Sequence, residues 1–448
     1  MNRMKKIFLI LSVVAGFVAC SSDGLRENAV QEDKPLTQQY DPNRRGFSEA
    51  VEIAQNSIKM LDEDKAVTRG IAPVRKLNLK DGVKAFRKAG TRSGEASSDN
   101  DTLLYVFNFE DNQGFSIVSA SRHTEGLIAV VEEGSYDPAV PTGNPGFDTY
   151  MNMAKAYIAY KDRTEAESLP VSTRGVTANP MFKPVYDTIY YQNIAPKVQV
   201  KWGQQYTMGQ FCPNCICGCA NTAAAQVMSY YQYPYGRTLT FSERDTTYTS
   251  FNWSYMRARI YANKTSNWDT YDKQIGRLAR QLGEDSGSTY YTDGTGTSTG
   301  FSAIRNTMIS WGYSAGSITT YNYSNSDAGY SLGNLLAANK LIIMRGDNSD
   351  DEGHAWLIDG CKYVKALNRM MVSYDGGITW SIYQELGTYR TCHNHINWGW
   401  NGTGNGYFYS WILNVYNSVN YDPYPLFPLS SGDNLSFYNN VYYFPVWH

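Results

Sequence analysis

Apolar residues recur at helical spacing early in the chain, after a polar stretch that ends at about Arg45. They predict a helix with one apolar face, made by Phe47, Ala50, Val51, Ala54, Ile58 and Leu61. Two β-rich runs, Leu103–Phe109 and Phe115–Ala120, are joined by turn-forming residues, and Leu127–Val131 offers a third strand. Residues 45–165 are therefore expected to form a small α+β domain.

Composition changes near residue 175. Of the 36 tyrosines and 10 tryptophans, only six tyrosines and no tryptophan precede that position. The stretch from Glu165 to Pro180 lacks apolar periodicity and is polar enough to be an exposed connector, open to proteolysis. We therefore expect two domains, residues 45–174 and residues 175–448.

The first residues have the pattern of a targeting signal. Arg3, Lys5 and Lys6 precede a mostly apolar run, Ile7–Ala19, which is too short to remain as a membrane-spanning helix. The run ends at Cys20, and Phe-Val-Ala-Cys resembles a bacterial lipoprotein signal box, in which the cysteine is lipidated and becomes N-terminal. Residues 1–19 are thus expected to be a signal peptide and residues 20–44 a lipidated polar linker at the outer membrane or cell surface. An ordinary secretory signal with an incidental cysteine is the alternative.

Charge and composition exclude several classes of protein. The 448 residues carry 40 Lys plus Arg against 42 Asp plus Glu, so the net charge of -2 provides no field for nucleic acid. Hydrophobic residues make up 42% of the chain, enough to fill a core. Seven cysteines are too few for a disulfide scaffold at this length, yet four lie within eight residues: Cys212, Cys215, Cys217 and Cys219. Specific chemistry is expected in that region.

Cys219 begins an alanine-rich stretch that favours helix and should end before Pro234. A thiol at a helix N-terminus lies near unpaired backbone N–H groups, whose partial positive charge stabilises the thiolate. Gly218 leaves the approach to the sulfur open, and the Cys219 N–H is placed to donate to an oxyanion. Cys219 is therefore the candidate nucleophile.

A cysteine nucleophile requires a base, and the chain contains five histidines. His123 lies in the N-terminal domain and His448 is the last residue. His354 opens a strand-like run after an acidic, glycine-containing loop, a place where catalytic residues tend to lie on a rigid scaffold. We expect His354 to be the base, and a histidine that caps a strand is the alternative.

Two further motifs offer polar groups to such a pair. In the stretch from His395 to Gly402, the Asn397 side-chain carbonyl can accept a hydrogen bond from a histidine ring, and an indole can shield that bond from water. A glycine-bent strand with core tryptophans is the alternative. Upstream, Gln204 offers a side-chain amide donor for a tetrahedral oxyanion.

In chain order, these motifs closely resemble the streptopain family of papain-like cysteine peptidases. The resemblance covers about residues 195–448 and rests on six motifs: Trp202-Gly203-Gln204, Cys212-Pro213, Gly218-Cys219, Gly353-His354-Ala355, Ile358-Asp359-Gly360 and residues 395–400. Tyr105–Asn108 and Gly114–Ser119 resemble the propeptide of that family. The resemblance implies an α+β fold, with the nucleophile on a helix that packs on a twisted antiparallel sheet, preceded by a small α+β propeptide domain.

The resemblance also implies a role for each matched residue. Cys219 would be the nucleophile and His354 the general acid and base. Gln204 and the Cys219 N–H would form the oxyanion hole, while Asn397, Trp398 and Trp400 would support the histidine. Substrates would be proteins or peptides with an apolar residue two positions before the scissile bond, and no cofactor, metal or nucleic acid is expected.

Residues 45–174 would then be an intramolecular inhibitor that blocks the cleft. Activation would require a cut in the connector, between Arg174 and Gly175, by the enzyme itself or by an activating protease. Arg69 and Arg92 have similar surroundings and are alternative positions. A cut near Arg174 would also free the catalytic domain from its lipid anchor, so a released active enzyme is expected.

Cys215 and Cys217 depart from the family pattern, and Asn401 stands where a glycine is common. The four clustered cysteines therefore leave open a zinc or iron–sulfur site, although no second Cys-x-x-Cys or paired histidine motif completes it. A disulfide that uses Cys212, Cys215 or Cys217, with Cys361 or Cys392 as candidate partners, is a further alternative in an exported protein.

Two other functions remain open at this stage. One is a non-catalytic surface lipoprotein that binds glycan or protein through its tyrosine-rich C-terminal half, with a mobile loop from Thr289 to Gly300. The other is a different Cys–His acyl transferase, such as a transglutaminase or an amidase.

Overall fold

A single large sheet joins the N-terminal and C-terminal parts of the chain. The computed structural model describes residues 43–65, 75–87, 102–166, 181–240, 246–294, 296–321, 328–347, 353–374, 378–413 and 440–448, all of which belong to one unit. Cys20, Arg174 and Gly175 lie outside the described residues.

The helices within the described residues are α1 Phe47–Lys65, α2 Pro145–Ala166, α3 Cys219–Tyr231, α4 Trp253–Arg257, α5 Thr270–Asp285, α6 Phe301–Ser310 and α7 Ala328–Ala337. The strands are β1 Val83–Arg87, β2 Thr102–Asn108, β3 Phe115–Ser119, β4 Leu127–Val131, β5 Met181–Ile194, β6 Gly236–Thr240, β7 Thr246–Ser250, β8 Thr289–Tyr290, β9 Thr297–Ser298, β10 Ser314–Ala315, β11 Thr319–Thr320, β12 Leu341–Asp347, β13 Gly353–Ser373, β14 Ser381–Asn397, β15 Gly406–Tyr409 and β16 Asn440–Trp447.

The main sheet has the strand order β1-β2-β3-β4-β15-β14-β13-β12-β16-β10, with β5 paired to β13 and β11 paired to β16. Its described pairs are antiparallel. The ribbons β6–β7 and β8–β9 are separate. The fold class is α+β, as predicted.

The predicted N-terminal domain shares this sheet with the rest of the chain. Val131 on β4 faces Gly406 on β15, and Val130 faces Tyr407. An edge strand with unpaired backbone groups tends to find a partner, and β15 supplies one for β4. The division expected near residue 175 is therefore not a division of the sheet.

The helix and three strands predicted for residues 45–165 are confirmed as α1, β2, β3 and β4. Strand β1 and helix α2 were not predicted from the sequence. Helix α2 buries Phe147, Tyr150 and Ile158 completely and packs against β2 and β13. The stretch from Thr289 to Gly300, predicted as a loop, contains the ribbon β8–β9, whose strands pair Thr289 with Ser298 and Tyr290 with Thr297.

Helix α3 starts at Cys219 and ends before Pro234, as predicted. It packs against β12 and β13, and its residues Ala224, Ala225 and Val227 are completely buried. None of the described helices has the length and apolar character needed to cross a bilayer.

Candidate active site

The backbone before Cys219 requires glycine. Gly218 has φ 91° and ψ 148°, a left-handed conformation that side chains rarely adopt. A Cβ there would also lie 3.2 Å from Thr297 Cγ2. The Gly218 carbonyl accepts hydrogen bonds from the Thr222 N–H at 3.0 Å and from Thr222 Oγ1 at 2.9 Å. Gly218 therefore fixes where α3 begins, and with it the position of the Cys219 sulfur.

Cys219 and His354 lie in contact. Burial opposes ionisation of Cys219, but a hydrogen bond with His354 and the charge of that ring outweigh it, with help from the Ala355 N–H and Arg345, and lower the pKa of Cys219 below its ordinary value of 9.0. The thiol is thus biased toward thiolate, the reactive form. The two residues predicted as nucleophile and base are 135 positions apart in the chain and adjacent in space.

A backbone carbonyl holds the His354 ring. His354 Nε2 lies 2.9 Å from the Trp398 carbonyl oxygen, which can only accept, so Nε2 carries a proton. The other ring nitrogen, Nδ1, is left for the sulfur. The Trp400 ring meets the imidazole edge-on at 6.2 Å between centroids, and the Trp356 ring stacks beside it at 6.3 Å. His354 is only 5% exposed, so the ring is shielded from water, while Cys219 remains partly exposed.

Sheet topology explains why these residues meet. His354 is the second residue of β13, and Trp398 follows the last residue of β14. The two strands are antiparallel, and Leu357 faces Asn397. The start of one strand therefore lies beside the end of the other.

Asn397 does not bind His354 directly, in contrast to the hydrogen bond envisaged from the sequence. Its Oδ1 accepts from Gln226 Nε2 at 3.1 Å and from the Gly399 N–H at 3.2 Å, and its Nδ2 donates to the Val200 carbonyl at 2.8 Å. The physical reason is position: Asn397 still belongs to β14, whereas the carbonyl that meets the ring belongs to the next residue. Trp398 and Trp400 lie beside the histidine, as expected.

Gln204 lies on the loop that leads to the nucleophile. Its backbone carbonyl accepts a hydrogen bond from the Cys217 N–H at 2.8 Å, two residues before Cys219. The same loop is closed by Gly209, where a Cβ would come within 2.0 Å of the Cys215 carbonyl oxygen. The role of the Gln204 side chain in an oxyanion hole remains a prediction.

The clustered cysteines differ in their surroundings. Cys212 and Cys217 are buried and Cys215 is exposed, and all six described cysteines are free thiols. Burial raises the pKa of Cys212 to about 12 and the pKa of Cys217 well above its ordinary value. Among the described residues, no three His, Cys, Asp or Glu side chains converge to hold a metal ion.

Cys361 and Cys392 form a separate buried pair. Their sulfur atoms lie 3.4 Å apart on the neighbouring strands β13 and β14. The disulfide considered between one of these residues and Cys212, Cys215 or Cys217 is therefore not present in this structure, because each of them is a free thiol and their nearest cysteine contact is with each other.

The N-terminal part of the chain covers the histidine. Gly146, at the start of α2, packs so closely that a Cβ would lie 2.6 Å from His354 Cδ2 and 2.5 Å from Trp398 Cε3. Asn144 holds this turn: its Oδ1 accepts from the Gly146 N–H at 3.1 Å, and its Nδ2 donates to the Thr403 carbonyl at 2.7 Å. The predicted inhibitory domain thus touches the candidate base.

A partly buried group of charges also joins the two parts. His395 Nε2 lies 3.2 Å from Glu132 Oε1 and its Nδ1 lies 2.6 Å from Asp359 Oδ1. Lys201 Nζ donates to Glu132 at 2.8 Å and to Glu133 at 2.6 Å. Burial disfavours charge on His395, but the Asp359 and Glu132 carboxylates outweigh it and raise the pKa of His395 to about 10. Burial also opposes ionisation of Glu132, yet His395 and Lys201 lower its pKa well below its ordinary 4.5.

Gly146, Glu132 and Arg345 were not predicted from the sequence, since each comes near the other residues only through the fold. The charge of Arg345, on β12, helps to lower the pKa of Cys219, and its Nη1 donates to the Thr299 carbonyl at 3.2 Å. Asn401, noted where a glycine is common, has φ 53°, the left-handed conformation that glycine and asparagine adopt most easily.

Comparison with known proteins is consistent with this geometry. Residues 202–408 match the Peptidase C10 family, and residues 34–158 match the Spi protease inhibitor family. Streptopain of Streptococcus pyogenes is 25% identical over 361 residues, covering 72% of this chain and 79% of streptopain. The thiol protease/hemagglutinin PrtT of Porphyromonas gingivalis is 24% identical over 348 residues, which cover 71% of this chain and 35% of that protein.

Among solved structures, the match to a fragment of Prevotella intermedia prointerpain A covers 73% of this chain and 91% of that fragment. The two are 20% identical, and the TM-score is 0.45. The match to active interpain A from the same organism covers 56% of this chain and 94% of the interpain chain, at 20% identity and a TM-score of 0.36. The sequence matches divide the chain into an inhibitor-type part and a peptidase part, as the sequence motifs predicted. Residues 202–408 belong to the peptidase C10 family, the streptopain-like cysteine peptidases, and are preceded by a propeptide domain of the Spi inhibitor type.

Proposed function

We propose that the protein is the zymogen of an exported cysteine endopeptidase in which Cys219 is the nucleophile and His354 the general acid and base. One observation carries this proposal: the Cys219 sulfur lies at the start of α3 in hydrogen-bond contact with His354, whose far nitrogen is held by the Trp398 carbonyl. A helix N-terminus and an imidazolium both stabilise the thiolate.

The reaction follows from these positions. The Cys219 thiolate attacks the peptide carbonyl, and the negative charge on the carbonyl oxygen is stabilised by the Cys219 N–H and the Gln204 amide. His354 then gives its Nδ1 proton to the leaving amine and afterwards takes a proton from the water that hydrolyses the thioester. The Trp398 carbonyl keeps the ring oriented in both steps, because it accepts from Nε2 throughout.

The propeptide is proposed to inhibit by contact with the base as well as by covering the cleft. Gly146 lies against His354 and Trp398, so substrate cannot occupy that side of the ring while α2 is docked. Removal of the propeptide by a cut in the connector, between Arg174 and Gly175, would open the site.

Export and lipidation at Cys20 are supported by the charged start, the apolar run and the cysteine that ends it. The zymogen would then be anchored in the cell envelope, and the cut near Arg174 would release the active enzyme. In an expressing bacterium, Cys20→Ser is expected to abolish incorporation of labelled fatty acid into the protein. Undiminished incorporation would contradict lipidation at this position.

Replacement of Cys219 by Ala tests the assignment of the nucleophile. The full-length variant, incubated under mildly reducing conditions, is expected to lose casein hydrolysis by about 10⁴-fold or more and to show no self-processing by mass spectrometry. Cys215→Ser is the matched control, since Cys215 is exposed and lies in the same cysteine cluster. Retained hydrolysis in Cys219→Ala, or an equal loss in Cys215→Ser, would reject Cys219 as the nucleophile.

A further inference from the structure

Gln226 is a buried polar residue on the nucleophile helix, and the reaction above assigns it no role. It is fully buried and lies seven positions after Cys219 on α3, about two helical turns along, so both residues share one side of the helix. A buried amide on an apolar helix requires hydrogen-bond partners. Those partners lie on two other segments of the active site.

The two Gln226 N–H groups bind two different segments, the stretch that contains Trp202 and the end of β14. Nε2 donates to the Trp202 carbonyl at 2.8 Å and to Asn397 Oδ1 at 3.1 Å. A backbone carbonyl can only accept, so the amide nitrogen and not the oxygen faces this side. Gln226 Oε1 has no hydrogen-bond partner among the residues that the structure describes. The side chain therefore acts through its donors alone.

Asn397 connects Gln226 to the peptide group between Trp398 and Gly399. Its own orientation is fixed, because Nδ2 donates to the Val200 carbonyl and Oδ1 must then face Gln226. The same Oδ1 accepts from the Gly399 N–H at 3.2 Å. That N–H and the Trp398 carbonyl belong to one planar peptide unit, and the Trp398 carbonyl binds His354 Nε2 at 2.9 Å. Because the unit is planar, the hydrogen bond that orients the Gly399 N–H also orients the Trp398 carbonyl.

The contacts form a closed circuit. It runs from Gln226 through Asn397 and the Trp398–Gly399 peptide to His354, and from His354 back to Cys219 on the same helix. Glycine at position 399 permits this arrangement: its φ is 69°, and a Cβ there would lie 3.2 Å from Thr222 Cγ2 on α3.

We propose that Gln226 is a positioning residue of the peptidase, which sets the orientation of the His354 ring toward Cys219 through Asn397 and the Trp398–Gly399 peptide. This inference rests on the proposed Cys219–His354 pair. Gln226 does not touch the substrate in this scheme. It links the nucleophile helix to the loop that orients the base and, through Trp202, to the segment that carries Gln204.

The test uses Gln226→Met in the full-length chain, because methionine keeps the length and burial of the side chain and removes both donors. The readout is the rate at which iodoacetamide alkylates Cys219, followed by peptide mapping from pH 4 to pH 9. A misoriented imidazole stabilises the thiolate less, so the acid limb of the alkylation profile is expected to move up by about one pH unit. After processing, casein hydrolysis is expected to fall about 10²-fold, through kcat and not KM.

Ser229→Ala is the matched control. Ser229 is also buried on α3, but its Oγ donates to the Gln226 backbone carbonyl at 2.6 Å within the helix. Its loss is expected to lower thermal stability without moving the alkylation profile. A folded Gln226→Met chain with the wild-type profile and wild-type kcat would overturn the proposal.

Asn397→Ser provides a second route if Gln226→Met does not fold. The substitution shortens the acceptor side chain between Gln226 and Gly399. The acid limb of the alkylation profile is again expected to move to higher pH, and an unshifted profile overturns the proposal. In Gln226→Met/Asn397→Ser the losses should not add, since both act along one path. The wild-type chain separates this test from the proposed function: if wild-type Cys219 is not alkylated at acid pH, the Cys219–His354 pair fails, whatever Gln226 does.

Discussion

Gly146 of the propeptide lies against His354 of the peptidase so closely that no side chain fits between them. The contact brings the start of α2 onto the residue that we propose moves protons during catalysis. Inhibition is therefore expected to be sensitive to a single added methyl group.

Gly146→Ala is expected to loosen the propeptide. An added Cβ would lie 2.5 Å from the Trp398 ring and 2.6 Å from the His354 ring, and Trp398 is fully buried, so α2 has to shift at a cost of about 1–3 kcal/mol. Self-processing of the full-length chain should be faster, as measured by the appearance of the mature fragment on gels. Gly46→Ala is the control, because nothing lies within 4 Å of a Cβ at Gly46. Equal processing rates for the two variants would contradict this role of the contact.

Glu132 is expected to make attachment of the propeptide depend on charge. Glu132→Gln removes the carboxylate between His395 and Lys201 and should lower the unfolding free energy of a Cys219→Ala zymogen by about 1–3 kcal/mol. Glu133→Gln is the control, since Glu133 is 45% exposed and such pairs contribute about 0–1 kcal/mol. Thermal unfolding compares the two variants, and a loss in Glu133→Gln as large as in Glu132→Gln would argue against a specific role for Glu132.

The same group of charges predicts how stability varies with pH. The pKa of Glu132 is lowered in the folded chain, so its contribution is present above its ordinary 4.5 and is lost as the pH falls through its lower folded value. The pKa of His395 is raised to about 10, so its contribution is complete below its ordinary 6.5 and is lost as the pH rises toward 10. The two windows overlap between pH 4.5 and 6.5, where this network stabilises most. The difference in Tm between the Cys219→Ala zymogen and its Glu132→Gln variant should be largest there; a difference that grows toward pH 9 would have the wrong sign.

Gly218→Ala is expected to separate backbone strain from catalysis. Gly218 and Gly287 both have positive φ, 91° and 64°, so alanine at either position should cost about 1–2 kcal/mol. Only Gly218 sets the start of α3, and a Cβ there also presses on Thr297. Both variants should therefore lose stability through backbone strain, Gly218→Ala somewhat more because of Thr297, whereas casein hydrolysis should fall about 10²-fold in Gly218→Ala alone. A comparable fall in Gly287→Ala would indicate a general effect of destabilisation.

Thiol reactivity should follow environment among the six described cysteines. Cys219 combines a lowered pKa with partial exposure, and Cys215 is exposed. Cys212, Cys217 and Cys361 are buried with raised pKa values, and Cys392 is 1% exposed. Brief iodoacetamide treatment at pH 7 and peptide mapping should find label first at Cys219 and then at Cys215. Labelling of Cys217 as fast as Cys219 would contradict this order.

Local sequence was sufficient to predict the elements that carry chemistry. The alanine-rich run after Gly218 predicted a helix that starts at the thiol, because helix propensity and the glycine before it are local properties. The loop before His354 similarly predicted a histidine at the start of a strand. What brings these two together is the pairing of distant strands, for which one sequence has no local signal.

The sequence predicted which residues lie beside the His354 ring but not which atom holds it. Asn397 and Trp398 were identified, yet the sequence could not tell which oxygen meets the ring, since that depends on a peptide plane and not on a residue type. Gln226 did leave a signal, as a polar residue on an alanine-rich helix seven positions after the nucleophile. Gly146 left none, because its closeness to His354 exists only once α2 is docked.

The shared sheet has a consequence for how activity is switched on. A cut in the connector would break one covalent bond and leave the pairing of β4 with β15, along Ala129–Val131 and Gly406–Phe408, in place. A nicked zymogen would therefore be a two-chain complex held by hydrogen-bonded strands, and its activity would be governed by dissociation and concentration. Dilution after the cut, and not the cut itself, would be the step that liberates the enzyme, and the departing segment would remain a competitor able to rebind.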